Sequence, residues 1–515
     1  MDGKIVWLAD DECRRGRKAA TAQLLTPVIQ FRNLPFGISA FLNLLLLAAC
    51  MAKIVALAAY FYQAAVAFGL LIAVAHLLTP ADYAAYSLFI TISQFAAILC
   101  FEWIRFACSR FYPGSTPGSE ALERSALTIE FTVCAAFCLI AASASIFFSV
   151  PTEIAVFGGL VAILQGGSDL HLTILRFRQE FRVFSRLQGS RATILAVGTL
   201  AGAVVAPNFT CTIGGLLAGY VAYSLWASFL TRNSLREAAR FEPALVRKHF
   251  VYGSVAASAS VIGMLAPLGL KSILTATLGA GGAAGALLAL DLLQRPFVLI
   301  VSALQAIQYP DVVTTYDREG ATPVFRKQLG QYYSLLTGLT LMTAAGIFAL
   351  LQPIGQLVIS AGLRQDFLAA APFVIGLATC RALTFNMLPT PAHLRHRLRA
   401  IFLLAVIDCV LLNAGTLAGG YLGSFGDAAL MAGGMVGALI AMAIGLRVLM
   451  SLSFDFVWPP VLLATVGLAV PVLATAGFTY SLWVSVSAGV IGGAVFCLLG
   501  LYSYFVTMFR PQVRS

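Results

Sequence analysis

The sequence predicts an all-α polytopic membrane protein of about fourteen transmembrane helices. Three observations carry this expectation. Of 515 residues, 60% are apolar and 11% charged, against roughly 25% charged in a soluble domain. Apolar runs of about twenty residues, long enough to cross a bilayer as helix, recur from Ala52 to Val506. The basic residues collect in every second gap between those runs.

In order, the runs bounded by Pro, Gly or charge cover 54–78, 83–104, 127–149, 153–175, 190–206, 211–230, 250–276, 282–308, 332–352, 367–388, 399–419, 428–449, 459–478 and 482–507. Lys and Arg in short loops are retained on the cytoplasmic side. After the even-numbered runs come Arg110 and Arg124, five arginines from Arg176 to Arg191, then Arg232 to Lys248, Arg318 to Lys327, Arg395 to Arg399, and Arg510 with Arg514. After the odd-numbered runs there is only Arg364. This split places both ends of the helical body in the cytoplasm.

Residues 1–50 fit the pattern less well. The apolar stretch from Leu34 to Cys50 would, as a spanning helix, put Arg14, Arg15, Arg17 and Lys18 outside, against the rule the other loops obey. It reads as an interfacial or loosely attached segment, or as an upstream extension of a chain starting at Met51-Ala52-Lys53. The expected organisation is therefore an N-terminal extension over 1–50, a six-helix lobe over 51–249, a second over 250–455, and two last helices with a cytoplasmic tail over 456–515.

The two lobes rest on an internal repeat. LLTPADYAAYSLFITISQ leads to Tyr112-Pro113 much as TLGAGGAAGALLALDLLQ leads to Tyr309-Pro310, and the copies begin about two hundred residues, or six spans, apart. An even offset keeps both copies in one orientation, as for parallel lobes about an axis along the membrane normal. Paired glycines, Gly198/Gly202, Gly215/Gly219, Gly415/Gly419, Gly433/Gly437 and Gly489/Gly493, read as close helix packing.

Several functions are excluded or disfavoured. The sequence holds no GxxxxGK[ST] loop, HExxH, GxSxG or paired-cysteine metal site. An ATP-driven pump and an enzyme with its own catalytic domain are not expected, nor are a cofactor or a metal. The Gly-rich LGAGGAAG, residues 278–285, reads as a tight turn between helices rather than a nucleotide loop. The ten cysteines are scattered through apolar stretches and read as small buried hydrophobes. The net charge of +11 comes from 33 basic and 22 acidic residues placed as loop charges, so nucleic acid is not an expected partner.

The stretch GLLIAVAHLLTPADYAAYSLFITISQFAAILCFEWIRFACSRFYP resembles the opening helix pair of the polysaccharide transporters (O-antigen and exopolysaccharide flippases) in the multidrug/oligosaccharidyl-lipid/polysaccharide (MOP) exporter superfamily, with its LTPxxYGxY turn. Ala85 stands where that turn usually has Gly. ALLALDLLQRPFVLIVSALQAIQYPDVV is similar to the family's eighth span, and TILRFRQEFRVFSRLQ to its connection between spans four and five. The resemblance covers about 51–507. It implies two six-helix lobes around a central cavity that opens alternately inward and outward in a bacterial inner membrane. The cargo it implies is a polyprenyl-diphosphate-linked oligosaccharide, flipped from the cytoplasmic leaflet for surface polysaccharide biosynthesis. A polysaccharide polymerase and assembly proteins are the protein partners expected beside the lipid bilayer.

An ionisable group at membrane depth is costly unless it faces water or a partner. Lys271 lies in the seventh span, Asp291 and Arg295 are i, i+4 in the eighth, Arg381 is in the tenth and Asp408 in the eleventh. Glu102, Arg105 and Lys53 lie near the inner ends of the first two. Spans one, two, seven and eight line the cavity in the family, so the resemblance makes Lys271, Arg295, Asp291, Arg105 and Lys53 the substrate-binding set, with Lys271 and Arg295 as the diphosphate ligands. Against this, Asp291 and Arg295 also read as a closed ion pair, and Lys53, Glu102 and Arg105 as interface residues. Glu102, Arg381, Asp408, His76 and His171 stand either as coupling groups or as structural contacts. A drug or cation antiporter would want acidic groups in its cavity, whereas Lys271, Arg295 and Asp291 sum to +1. A glycan polymerase or ligase would need a large outward loop, which the sequence lacks.

Overall fold

Thr79 starts the helix that positions the site. Its side-chain oxygen accepts the Asp82 backbone N–H at 3.2 Å, Pro80 occupies the first turn, and Asp82 adds a favourable carboxylate there. These are the residues of the LTPAD turn. In the computed structural model, residues 61–477 and Ala59 are described, apart from 114–118, 149–150, 232–241, 396 and 424–425. The expectations for 1–50, Lys53, the last span at 482–507 and Gly489/Gly493 lie outside the described residues.

Every described element is helical. The order is α1 (Phe61–Leu77), α2 (Pro80–Phe111), α3 (Ser119–Ser145) with a 3-10 turn at Ile146–Phe148, α4 (Thr152–Phe177), α5 (Phe181–Val205) and α6 (Phe209–Thr231). Then come α7 (Pro243–Leu293), α8 (Arg295–Ile307), α9 (Tyr309–Glu319), α10 (Pro323–Ala349) and α11 (Leu351–Leu357). The last are α12 (Ala361–Asn386), α13 (Thr390–Leu394), α14 (Leu398–Leu422), α15 (Asp427–Leu449) and α16 (Trp458–Gly477). Nine stretches among the described residues are long and apolar enough to cross a membrane, and one of them, Pro243–Ser302, holds two expected spans. The chain is a multi-pass membrane protein.

Two boundaries differ from the sequence reading in a way that matters. The fifth span begins at Phe181 rather than 190, so Arg182, Arg186 and Arg191 lie on α5. Arg191 is buried and pairs with Asp169 of α4 at 2.5 Å, so it is an internal charge rather than a loop charge. The eighth span is not one helix. Pro296 lacks an N–H, and the helix breaks at Gln294 between α7 and α8.

The LGAGG stretch is the expected turn between spans seven and eight. Gly279 has φ +73°, where a residue with a Cβ is strained, and it divides α7 into two arms. Folded at this point, α7 packs along α2 more extensively than any other described pair of helices, and also meets α12 and α14.

The glycine pairs do what their spacing predicts. A methyl on Gly198 of α5 would stand 3.0 Å from Gly219 Cα of α6, and one on Gly415 of α14 would stand 3.1 Å from Gly437 Cα of α15. In both hairpins only the missing side chain allows backbone-to-backbone contact. The two hairpins occupy corresponding places six spans apart in the sequence.

The first Tyr-Pro exit has a structural role. Tyr112 donates to Glu120 Oε1 at 2.6 Å, and Arg178 reaches the same oxygen at 2.9 Å. Burial, and then the bond to Glu120, hold the Tyr112 hydroxyl well above its ordinary pKa, so it remains a donor that ties the end of α2 to α3 and α4.

Candidate functional site

Polar side chains recur every fourth residue after the Thr79 cap: Tyr83, Ser87 and Thr91 lie on one face of α2, all buried. That face meets both arms of α7. Lys271, on the first arm, directs Nζ at Asp291 Oδ1 of the second arm at 2.5 Å, at Thr91 Oγ1 at 2.8 Å and at Ser87 Oγ at 3.0 Å. All three ammonium donors are thereby engaged. Asp291 Oδ2 accepts from Ser87 at 2.5 Å and from Tyr83 at 3.3 Å. The result is a closed network across α2 and the bend of α7, with Lys271 buried and Asp291 nearly so.

Arg295 is left out of that pair. The closed Asp291–Arg295 ion pair weighed from the sequence is not formed, because Asp291 is taken by Lys271. Arg295 Nε instead donates to the Asp291 backbone carbonyl at 3.1 Å, beside the helix break. No acceptor among the described residues engages its two terminal nitrogens, and Tyr83 and Tyr86 are near enough to interact with it electrostatically. The site thus presents a neutralised ammonium–carboxylate pair beside one permanently charged guanidinium.

The remaining charges fall elsewhere. Arg105 pairs with Glu102 one turn away on α2, and is about half exposed. It lies eighteen residues beyond Ser87 on the same helix, about 27 Å along the axis, so the structure does not bring it to Lys271 and Arg295. Arg381 of α12 and Asp408 of α14 form an ion pair at 3.2 Å, and Arg381 also donates to the Gly263 carbonyl of α7 at 3.4 Å. His76 is exposed with Nδ1 2.9 Å from the Ile72 carbonyl. His171 has a buried Nε2 with no hydrogen-bond partner among the described residues.

Tyr83, Ser87 and Thr91 were missed by reasoning that looked only for charge. Their signal is the four-residue polar stripe in an otherwise apolar span. His249, which directly follows the basic residues Arg232 to Lys248, is buried between Glu123 and Glu130 of α3.

No protein-family model matches the chain, and no curated protein matches it. Solved structures do. The chain is similar to the lipid II flippase MurJ in an inward closed conformation, with 11% identity and a TM-score of 0.65 over 89% of this chain and 100% of that one. It is similar to an inward-facing multidrug resistance MATE family transporter of the MOP superfamily, with 12% identity and a TM-score of 0.60 over 79% of this chain and 96% of that one. A third is a MOP superfamily transporter from Pyrococcus furiosus, described as having a binding pocket of reverse polarity that suggests a different function, with 13% identity and a TM-score of 0.51 over 82% and 96%. These likenesses show the fold alone: the all-α membrane fold that these solved structures share.

Proposed function

We propose that this chain is a flippase that moves a polyprenyl-diphosphate-linked oligosaccharide from the cytoplasmic to the outer leaflet of a bacterial inner membrane by alternating access. Both ends of its helical body face the cytoplasm, and a polymerase with surface-assembly proteins uses the glycan it delivers. The observation that carries this reading is Arg295, whose terminal guanidinium nitrogens meet no acceptor among the described residues, beside the Lys271–Asp291 pair. A guanidinium matches phosphate oxygens bidentately. Lys271, held at rest by Asp291, is a second cation that an incoming diphosphate can draw away from its carboxylate. On this reading Asp291 acts as a resident anion, keeping Lys271 satisfied when no substrate is bound.

The same site argues against a cation antiporter. Asp291, the carboxylate at this level, is already held by Lys271, and the local charge is +1. The Pyrococcus furiosus structure supports the idea that pocket polarity separates functions on this fold. Reconstitution in proteoliposomes tests the proposal. A fluorescent polyprenyl-diphosphate oligosaccharide in the inner leaflet should become accessible to an external quencher, and a neutral lipid-linked analogue should not. Ion-driven uptake of an organic cation, with no movement of the glycolipid, would overturn the reading.

A further inference from the structure

His249 lies in the second turn of α7, with no exposed surface. Its Nε2 is 2.8 Å from Glu123 Oε1 and its Nδ1 is 2.8 Å from Glu130 Oε1. The two glutamates are seven residues apart on α3, two turns along one face, so they grip the ring from both edges. Phe111 of α2 stacks on the imidazole at 5.6 Å, with Lys248 Nζ 4.2 Å from the Phe111 centroid and Tyr252 edge-on to the same ring at 5.3 Å. Among the described residues, Cys134 on α3 interacts electrostatically with Glu130, Cys108 on α2 with both carboxylates and with Arg176 of α4, and Arg124 follows Glu123 on α3.

Proton counting constrains this cluster. A neutral imidazole has one N–H and one lone pair, and a carboxylate only accepts. Two nitrogen–carboxylate contacts at hydrogen-bond distance need two protons between them, and a neutral histidine with two carboxylates supplies one. The observed geometry therefore holds an additional proton, either on the ring or on one glutamate. The 2.8 Å separations leave no gap for a metal ion between the groups. Glu130 Oε2, buried with no partner among the described residues, offers a place for one proton more.

We infer that Glu123, His249 and Glu130 form a proton-binding latch that clamps α3 to α7 while the additional proton is held and releases them when it is lost. Without that proton, an imidazole lone pair faces a carboxylate oxygen, and two buried negative charges share the single ring N–H. Either is costly away from water. The sign follows: the latch is closed at low pH and opens as pH rises. Because α7 also carries Lys271, a proton here is in position to couple to movement of the substrate site. That coupling rests on the flippase reading, whereas the latch itself does not.

The latch is tested in the full chain, cleared of its native cysteines, with spin labels at Thr128 of α3 and Arg247 of α7, both exposed. The wild-type distance should be short at mildly acidic pH, and should lengthen and broaden at alkaline pH. In Glu130→Gln the amide N–H donates to the ring nitrogen that lacks a proton, while the ring N–H serves Glu123. That variant should stay short across the whole range, losing the pH-dependent shift. Glu123→Gln makes the same exchange at the other nitrogen and should behave alike. A wild-type distance that ignores pH overturns the latch whether or not either variant folds, and so does a Gln variant that shifts as the wild type does. If the distance titrates as expected while no glycolipid moves in proteoliposomes, the latch stands and the flippase reading falls.

Discussion

Lys271 Nζ lies 2.5 Å from Asp291 Oδ1 across the Gly279 bend of α7. The pair fixes the two arms of α7 to each other, while Ser87 and Thr91 fix them to α2. Each charge depends on the other. Breaking such a buried pair by removing one partner costs about 3–5 kcal/mol, because the other charge is stranded, whereas removing both is far milder.

The pair should therefore show strong non-additivity. Lys271→Met should sharply lower protein abundance and thermal unfolding temperature, as should Asp291→Leu, and the double variant should recover most of the loss. A double-mutant cycle read by fluorescence-detected size-exclusion chromatography after heating measures the coupling. Additive losses would mean that the contact contributes nothing to the fold.

Arg295 should behave in the opposite way. Its terminal nitrogens hold no carboxylate among the described residues, so Arg295→Gln should leave abundance near normal. If Arg295 meets a diphosphate, each charge-assisted hydrogen bond lost is worth roughly 1.5–3 kcal/mol, so translocation should fall by about one to two orders of magnitude. Arg295→Lys keeps the charge without the fork and should be intermediate. Normal glycolipid export by a stable Gln variant would remove Arg295 from the site.

The glycine hairpins make a steric prediction. Gly433→Val should abolish stable expression, since even a Cβ at that position meets the Gly419 backbone. Gly281→Ala, in the turn that follows Gly279 with nothing within 4 Å of the new methyl, should be tolerated. Expression and monodispersity of both variants check the contrast, and a well-behaved Gly433→Val protein would contradict the α14–α15 packing.

Orientation can be read by labelling. In a background free of native thiols, a cysteine at exposed Arg186 should resist a membrane-impermeant reagent in intact cells, while one at Gly281 should react. The reverse pattern would invert the positive-inside assignment.

Scarcity of charge made Lys271, Asp291, Arg295, Arg381 and Asp408 visible in the sequence, because in a chain with 11% charged residues each one at membrane depth needs a reason. The four-residue spacing of Tyr83, Ser87 and Thr91 was visible too, but small hydroxyls in apolar helices are common enough to pass unremarked. The glycine pairs carried their packing partners openly, since a small-xxx-small face serves little but close approach.

The sequence by itself determined that the chain is a many-span helical membrane protein. Hydrophobic length and basic-loop alternation are local properties, and the bilayer enforces them segment by segment. Which charge meets which was decided only by the tertiary structure. Periodicity favoured Asp291 with Arg295, four residues away, yet the bend at Gly279 brings Lys271, twenty residues distant, to the carboxylate, and the break at Gln294 turns Arg295 to a backbone carbonyl instead. His249 finds Glu123 and Glu130 from more than a hundred residues away. Inside a membrane a charge takes the partner that lets it shed water at least cost, and that partner is chosen by how the helices pack.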